Sequence, residues 1–433
     1  METHLKDEFL GNKNILLSAP GVLLSDNYYD MYSHTSSMIE TTWGTGKNVQ
    51  SLPSLGLGTT TNINIPNGSF MAETYLQLTL PQLPVNVTLC RGWAWACIAE
   101  LQWLLGASNT SMTSTTGEAL FVQAMSQCPT EEKRSEAFRL GGEEFLAPPL
   151  AIIGQDVPKI EATILLPLPY SSLCEKKGAD TRMLTSNIVL TIKFKPPASI
   201  FGGSGVYPTA FQSAKIFYRQ GDLSNTNQSL AIPLRMDSNL QYSYPFLHQQ
   251  PIISTTFNGV RESDSTNGAL VNLTGFINSD LVGIAFYVVR TADVSPTGGN
   301  SPSPFNTDPI SNIVMRYNGN VIYSAPGQSY KFINMTGIQE ASFFQNSVIA
   351  PGAIAPFNSS PVDSYICWID FAKIREACIN GEHFANTFRV SNQTLTLNFN
   401  TAYGSTTSYE IRGCYFFNGI VSFKAGMTFL YYD

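Results

Sequence analysis

Short runs of β-branched and aromatic residues, cut by Gly, Pro and Asn, recur along this 433-residue chain, and the whole series is laid down twice. Each half also carries one helical interruption. In the first half Asn62-Ile63-Asn64-Ile65-Pro66 leads into Tyr75-Leu76-Gln77-Leu78-Thr79-Leu80-Pro81, whose apolar–polar alternation marks a strand with one buried face. Residues 160–168, 188–195 and 214–218 have the same character. In the second half so do residues 252–257, 270–276 and 281–289. Residues 312–317 and 320–324 flank Asn318-Gly319, a dipeptide that favours a two-residue hairpin turn because both positions tolerate positive φ. A side-chain period of two in both halves predicts an all-β chain of two β-barrels.

Residues 116–125 leave that period. Leu120, Phe121, Ala124 and Met125 fall on one face at helical spacing, and residues 129–140 continue as polar helix. A helix between two strands of a barrel is a loop insertion. Residues 93–98 (Trp93-Ala94-Trp95-Ala96-Cys97-Ile98) and 100–105 are expected as one long strand or two. Residues 1–55 hold no clean period and are expected as an extended arm, packed on a neighbour or on the chain's own barrel. A Ser/Asn/Gln-rich stretch, 224–241, places the boundary between the halves. The organisation is therefore an arm over 1–55, a first barrel over 56–240 with a helical insertion at about 116–140, and a second barrel over 241–433. The Ser/Gly/Pro-rich loop 295–309 is expected on the outer surface. The apolar Phe429-Leu430-Tyr431-Tyr432 is expected to be packed.

Hydrophobic residues at 43% and aromatics at 12% can fill two cores, but charged residues are only 13%. An ordinary soluble domain carries about 25%. Repeated subunit contacts account for the deficit, because interface cores are depleted in charge. The plainer alternative is a secreted β-protein with a Ser/Thr/Asn/Gln-rich surface. Net charge is −7 and the isoelectric point about 5.2. No direct nucleic-acid binding is expected, since gripping phosphates needs a basic face. Lys133-Arg134 and Lys176-Lys177 sit among acids and read as solvated segments. The polar first eight residues have no secretory pattern, and no apolar run approaches the ~18 residues of a spanning helix. Seven scattered cysteines are expected as free buried thiols. Asn86-Val87-Thr88 and Asn272-Leu273-Thr274 match a glycan acceptor pattern that an Asn/Ser/Thr-rich chain produces by chance.

The residues that carry chemistry elsewhere are not arranged for it here. Trp43-Gly44-Thr45-Gly46-Lys47-Asn48 fails as a phosphate loop, because Thr41 stands where the first Gly belongs and Asn48 where Ser or Thr belongs. Phe201-Gly202-Gly203-Ser204-Gly205 is a turn cluster with no helix after it. His4, His34, His248 and His383 are isolated, and Cys90 and Cys97 do not make a metal-binding pair. Glu131-Glu132 and Glu143-Glu144 are adjacent acids in polar segments, expected to be solvated. A glycosidase needs two acids across a cleft. No catalytic, cofactor or metal residue is assigned.

In its order of segments the chain resembles the double jelly-roll major capsid proteins of icosahedral DNA viruses, the lineage of large nucleocytoplasmic viruses, virophages and polinton-like elements. The first barrel of that family is matched by three stretches. These are Ile65-Pro66-Asn67-Gly68-Ser69 before residues 75–81, Leu101-Gln102-Trp103-Leu104-Leu105-Gly106-Ala107 with Thr116-Gly117-Glu118-Ala119-Leu120, and Leu165-Leu166-Pro167-Leu168-Pro169-Tyr170 followed by 188–194. Tyr244-Pro245-Phe246-Leu247-His248-Gln249-Gln250 resembles its inter-barrel segment. Residues 312–323, 365–372 and Asn386-Thr387-Phe388-Arg389-Val390-Ser391-Asn392 through Leu395 resemble its second barrel. The match spans most of residues 60–400. It implies two consecutive eight-stranded antiparallel jelly-roll barrels with short helical loop insertions, and no enzyme or cofactor. It also implies a homotrimer with six similar lobes and a pseudo-hexagonal outline that tiles a virion shell. The partners so implied are neighbouring capsomers, penton and minor capsid proteins, and an inner membrane. The alternative from another class is a two-domain β-sandwich that binds or cleaves carbohydrate, with an acid pair in an aromatic groove.

Overall fold

The computed structural model describes residues 41–43, 48–66, 70–105, 110–127, 139–143, 160–168, 179–180, 186–223, 241–276, 280–297, 299–327, 366–371, 388–390, 394–424 and 427–431. Sixteen strands carry the architecture. In the first barrel they are β1 (Asn48–Ser51), β2 (Thr60–Ile65), β3 (Phe70–Leu80), β4 (Ile98–Leu105), β5 (Thr110–Thr115), β6 (Ile160–Leu166), β7 (Ile188–Phe194) and β8 (Ser213–Leu223). In the second they are β9 (Gln241–Pro251), β10 (Ala269–Leu273), β11 (Asp280–Arg290), β12 (Ile310–Tyr317), β13 (Asn320–Ala325), β14 (Cys367–Asp370), β15 (Leu395–Thr401) and β16 (Ser408–Lys424).

The first barrel consists of two antiparallel sheets in the orders β1-β8-β3-β6 and β2-β7-β4-β5. The second consists of β9-β16-β11-β14 and β10-β15-β12-β13. Adding eight to each strand number of the first barrel generates the second. Each barrel is thus a jelly roll, two facing antiparallel sheets packed over one core.

Alternation explains why these residues take these places. Leu76, Leu78 and Leu80 of β3, Ile160, Ala162 and Ile164 of β6, and Ile188, Leu190 and Ile192 of β7 all point inward and are buried. Their neighbours Gln77, Glu161 and Lys193 face out. Each such Leu or Ile contributes roughly 1.5–3 kcal/mol on burial. Trp103 of β4 lies in the core, with its indole N–H donating to the Pro167 carbonyl at 2.9 Å. The β12–β13 hairpin turns at Asn318 and Gly319, with φ of 49° and 82°. This is the doubly positive pair that the sequence motif demands.

Several expectations need correction. Asn48–Ser51 is strand β1, hydrogen-bonded to β8, so the first barrel starts inside the stretch assigned to the 1–55 arm. Thr41–Trp43 also pairs with β8. Trp93–Ala96 is one helical turn, α1, not strand. It is buried throughout, so no polar face displays its period. The segment at Tyr244 lies within β9 rather than in a link between barrels. Phe201–Gly203 is a short strand paired with Val87–Leu89. The helical insertion is α2 (Gly117–Gln127), with a tight turn at Arg139–Glu143. Met427–Tyr431 pairs with the end of β16. The polar helix expected after residue 128 lies outside the described residues, as do Glu131-Glu132, Glu144, His4, His34 and His383.

Candidate functional site: the seam between the two barrels

Helix α2 belongs to the connection between β5 and β6 of the first barrel, and it lies against β11 and β16 of the second. It starts at Gly117, where a Cβ would come within 1.8 Å of the Trp95 carbonyl oxygen; only glycine admits that approach. The Thr116 hydroxyl caps the first turn by accepting from the Ala119 N–H at 3.3 Å.

Glu118 follows, in the first turn, and carries the polar part of the seam. Its Oε1 accepts from Lys195 Nζ at 2.6 Å and from Arg412 Nη1 at 2.6 Å. Lys195 comes directly after β7 of the first barrel, and Arg412 lies on β16 of the second. Arg412 Nη2 donates in turn to Glu410 Oε2 at 2.8 Å. Burial pushes the Glu118 carboxyl up, but Lys195 and Arg412 outweigh it and hold the group below the ordinary glutamate value. Burial likewise lowers Arg412, and Tyr287, Glu118 and Glu410 together raise it above its ordinary value.

The aromatic part lies one turn further along. Phe121 stacks at a tilt on Phe305, with centroids 4.3 Å apart. It meets Tyr287 edge-on at 6.1 Å and Trp95 edge-on at 5.5 Å. Trp95 and Phe121 come from the first barrel, Tyr287 and Phe305 from the second, and all four are buried. The Tyr287 hydroxyl donates to the Pro304 carbonyl at 3.1 Å, and burial drives its pKa well above the usual tyrosine range. Such ring contacts are worth about 0.5–1.5 kcal/mol each beyond their area.

A third contact ties loop 295–309 to the first barrel, while its Gly299 and Asn300 stay exposed. Gly203 N–H of the first barrel donates to the Gly299 carbonyl at 2.5 Å, and the Ser301 hydroxyl bonds to that of Thr88. The middle of the loop is therefore held against the first barrel.

Among the described residues no group of three His, Cys, Asp or Glu is placed to hold a metal. Cys90, Cys97, Cys367 and Cys414 are free and buried. His248 is buried on β9. An open cleft of about 330 Å³ in the second barrel is lined by Arg261, Glu262, Ser263, Pro309, Asn400 and Thr401 among others, with one carboxylate and no aromatic ring. That is not the acid pair in an aromatic groove that the carbohydrate alternative requires. The seam residues Glu118, Lys195, Arg412, Tyr287 and Phe305 were not singled out by sequence reasoning. Glu118 carried a signal: an acid inside an apolar helix, in a chain with few charges, needs a partner.

No family model and no curated protein matches the chain. Solved structures do. The crystal structure of PBCV-1 VP54, fitted into a reconstruction of the virophage Sputnik, matches with a TM-score of 0.60 and 12% identity, over 91% of this chain and 96% of that one. The fold is the double jelly roll. The Faustovirus major capsid protein matches this double jelly roll with a TM-score of 0.55 and 9% identity, over 98% of both chains. A chain of the Sputnik virophage structure matches with 0.51 and 11%, over 90% of this chain and 89% of that one. The matches cover both barrels at once.

Proposed function

We propose that this chain is a major capsid protein that builds the virion shell and carries out no catalysis. Three copies close into a pseudo-hexagonal capsomer of six similar lobes, and capsomers tile an icosahedral particle. The observation that carries the reading is that two jelly rolls of one strand order are joined by a buried seam. Three such pairs make a ring of six with only three-fold symmetry. The charge-poor composition supports it, since much of each lobe is then covered by its neighbours. Its partners are further copies, penton and minor capsid proteins, and an inner membrane beneath the shell.

Negative-stain microscopy with a solution mass measurement tests this. Three-fold particles with a hexagonal outline, at three times the chain mass of 47.4 kDa, are expected. Bilobed monomers would refute the capsomer. Residues before β1 are assigned to ties between capsomers. Deleting residues 1–40, which spares β1, is expected to leave the three-chain particle intact and to abolish shell assembly; normal shells from that variant would remove the assigned role.

A further inference from the structure

The two barrels depart from one another where β2 and β10 begin. In the first barrel the Phe194 N–H donates to the Thr59 carbonyl at 2.9 Å, and in the second the Thr401 N–H donates to the Val260 carbonyl at 2.9 Å. Strand pairing is under way at equivalent places, with Thr61 opposite Ile192 and Ala269 opposite Phe399. In the first barrel Thr60 alone separates those points. In the second, residues 261–268 separate them.

The extra turn stands on polar supports that the first barrel lacks. Phe194 is buried against Phe211, with ring centroids 4.9 Å apart, and closes that end of the first core. Its counterpart Thr401 instead accepts from the Val260 N–H at 2.8 Å and donates to the Tyr403 carbonyl at 2.7 Å. The neighbouring Asn400 is buried, whereas its counterpart Lys193 is exposed. Asn400 Nδ2 donates to the Ser265 carbonyl at 2.6 Å and to the Val260 carbonyl at 3.3 Å, and its Oδ1 accepts from Asn312 Nδ2 at 3.1 Å. A buried amide destabilises a fold unless its groups are bonded. Here they are bonded, and most of what they hold is loop backbone. The turn itself is closed by the Asp264 and Ser265 N–H groups on the Arg261 carbonyl, at 3.0 and 3.1 Å.

This framework makes the open cleft of about 330 Å³ and sets Arg261 and Glu262 in its lining. Among the described residues neither of these two side chains has an ion pair or a hydrogen bond. We propose that the cleft binds a single neutral sugar residue through adjacent hydroxyls. Arg261 offers only donors and Glu262 only acceptors, so a pair of hydroxyls can use both at once. Opposite charges side by side favour neither an anion nor a cation. A zwitterionic amino acid would match them, but both side chains are exposed, where ion pairing gains little over water. Ser263 and Ser311 add hydroxyls, and Pro309 adds an apolar edge for the C–H face of a pyranose. The volume lies at the small end of ligand sites, roughly 300–1,000 Å³, which suits one residue rather than a chain. With one carboxylate in the lining, the cleft offers binding without cleavage. The inference stands apart from the capsomer reading and holds for single chains and three-chain particles alike.

Saturation-transfer NMR on the full chain tests it, with the methyl glycosides of glucose, galactose, mannose and N-acetylglucosamine as probes and glycine as the zwitterion. At least one glycoside is expected to bind saturably. Arg261→Ala and Glu262→Ala, both at exposed positions, are each expected to weaken that binding about tenfold or more with unchanged β-sheet circular dichroism. Arg316→Ala, exposed on β12 and outside the cleft, is expected to bind as the parent does. Binding of none of the glycosides overturns the inference, as does equal binding by the parent and both cleft variants. Saturable binding of glycine alone, lost in Arg261→Ala, also overturns it and makes the cleft an amino-acid site.

Discussion

The two parts of the seam sit on the same helix, three residues apart, and hold the barrels by different physics. At Phe121 four rings from two barrels exclude water. Adhesion there grows with buried area and tolerates small shifts. At Glu118 a carboxylate is shared between a lysine of one barrel and an arginine of the other, both at 2.6 Å. A buried ion pair gains little net energy, because desolvation offsets most of the attraction. Its geometry is strict, however, and a slip of one helical turn would strand a charge. On these physical grounds the rings should supply most of the adhesion and the charges the register.

Phe121→Ala is the strongest test of that division. It should cost about 3–5 kcal/mol in denaturant unfolding of the first barrel and its seam. A loss below about 1 kcal/mol would remove the plug from its assigned role. Glu118→Gln should cost less, about 1–3 kcal/mol, since Arg412 keeps Glu410 and Lys195 can turn to solvent. If the charges set register, this variant should also raise hydrogen exchange in β16 around Arg412, whereas a purely adhesive role would leave exchange there unchanged. The smallest effect is on pH dependence. The Glu118 pKa is lowered on folding, so its contribution is present above the ordinary value of about 4.5 and is lost as pH falls through the lowered folded value. Glu118→Gln should therefore flatten the acid limb of the stability profile relative to the parent. An identical acid limb in both would show that other carboxylates dominate.

The strands were legible because each needs only its own alternation. The runs at Tyr75, Ile160 and Ile188 display a buried and a polar face within seven to eleven residues. The Asn318-Gly319 hairpin was legible for the same local reason. Trp93–Ala96 was not, because a segment buried on all sides shows no period. Nor was β1, whose four residues have meaning only through pairing with β8. The face of α2 was visible at Leu120, Phe121, Ala124 and Met125, but its purpose was not. Glu118 finds its partners 77 and 294 residues away, and one sequence records no such proximity. The tie between loop 295–309 and Gly203 was hidden for the same reason, because it joins backbone groups far apart in the chain.

The four described cysteines have a consequence for durability. Each is buried and free. Burial drives the Cys90 thiol up to about 12 and raises the other three as well. The thiolate is the species that oxidants and disulfides attack. While the barrels stay folded, these four sulfurs are therefore kept as thiols and out of reach of disulfide exchange.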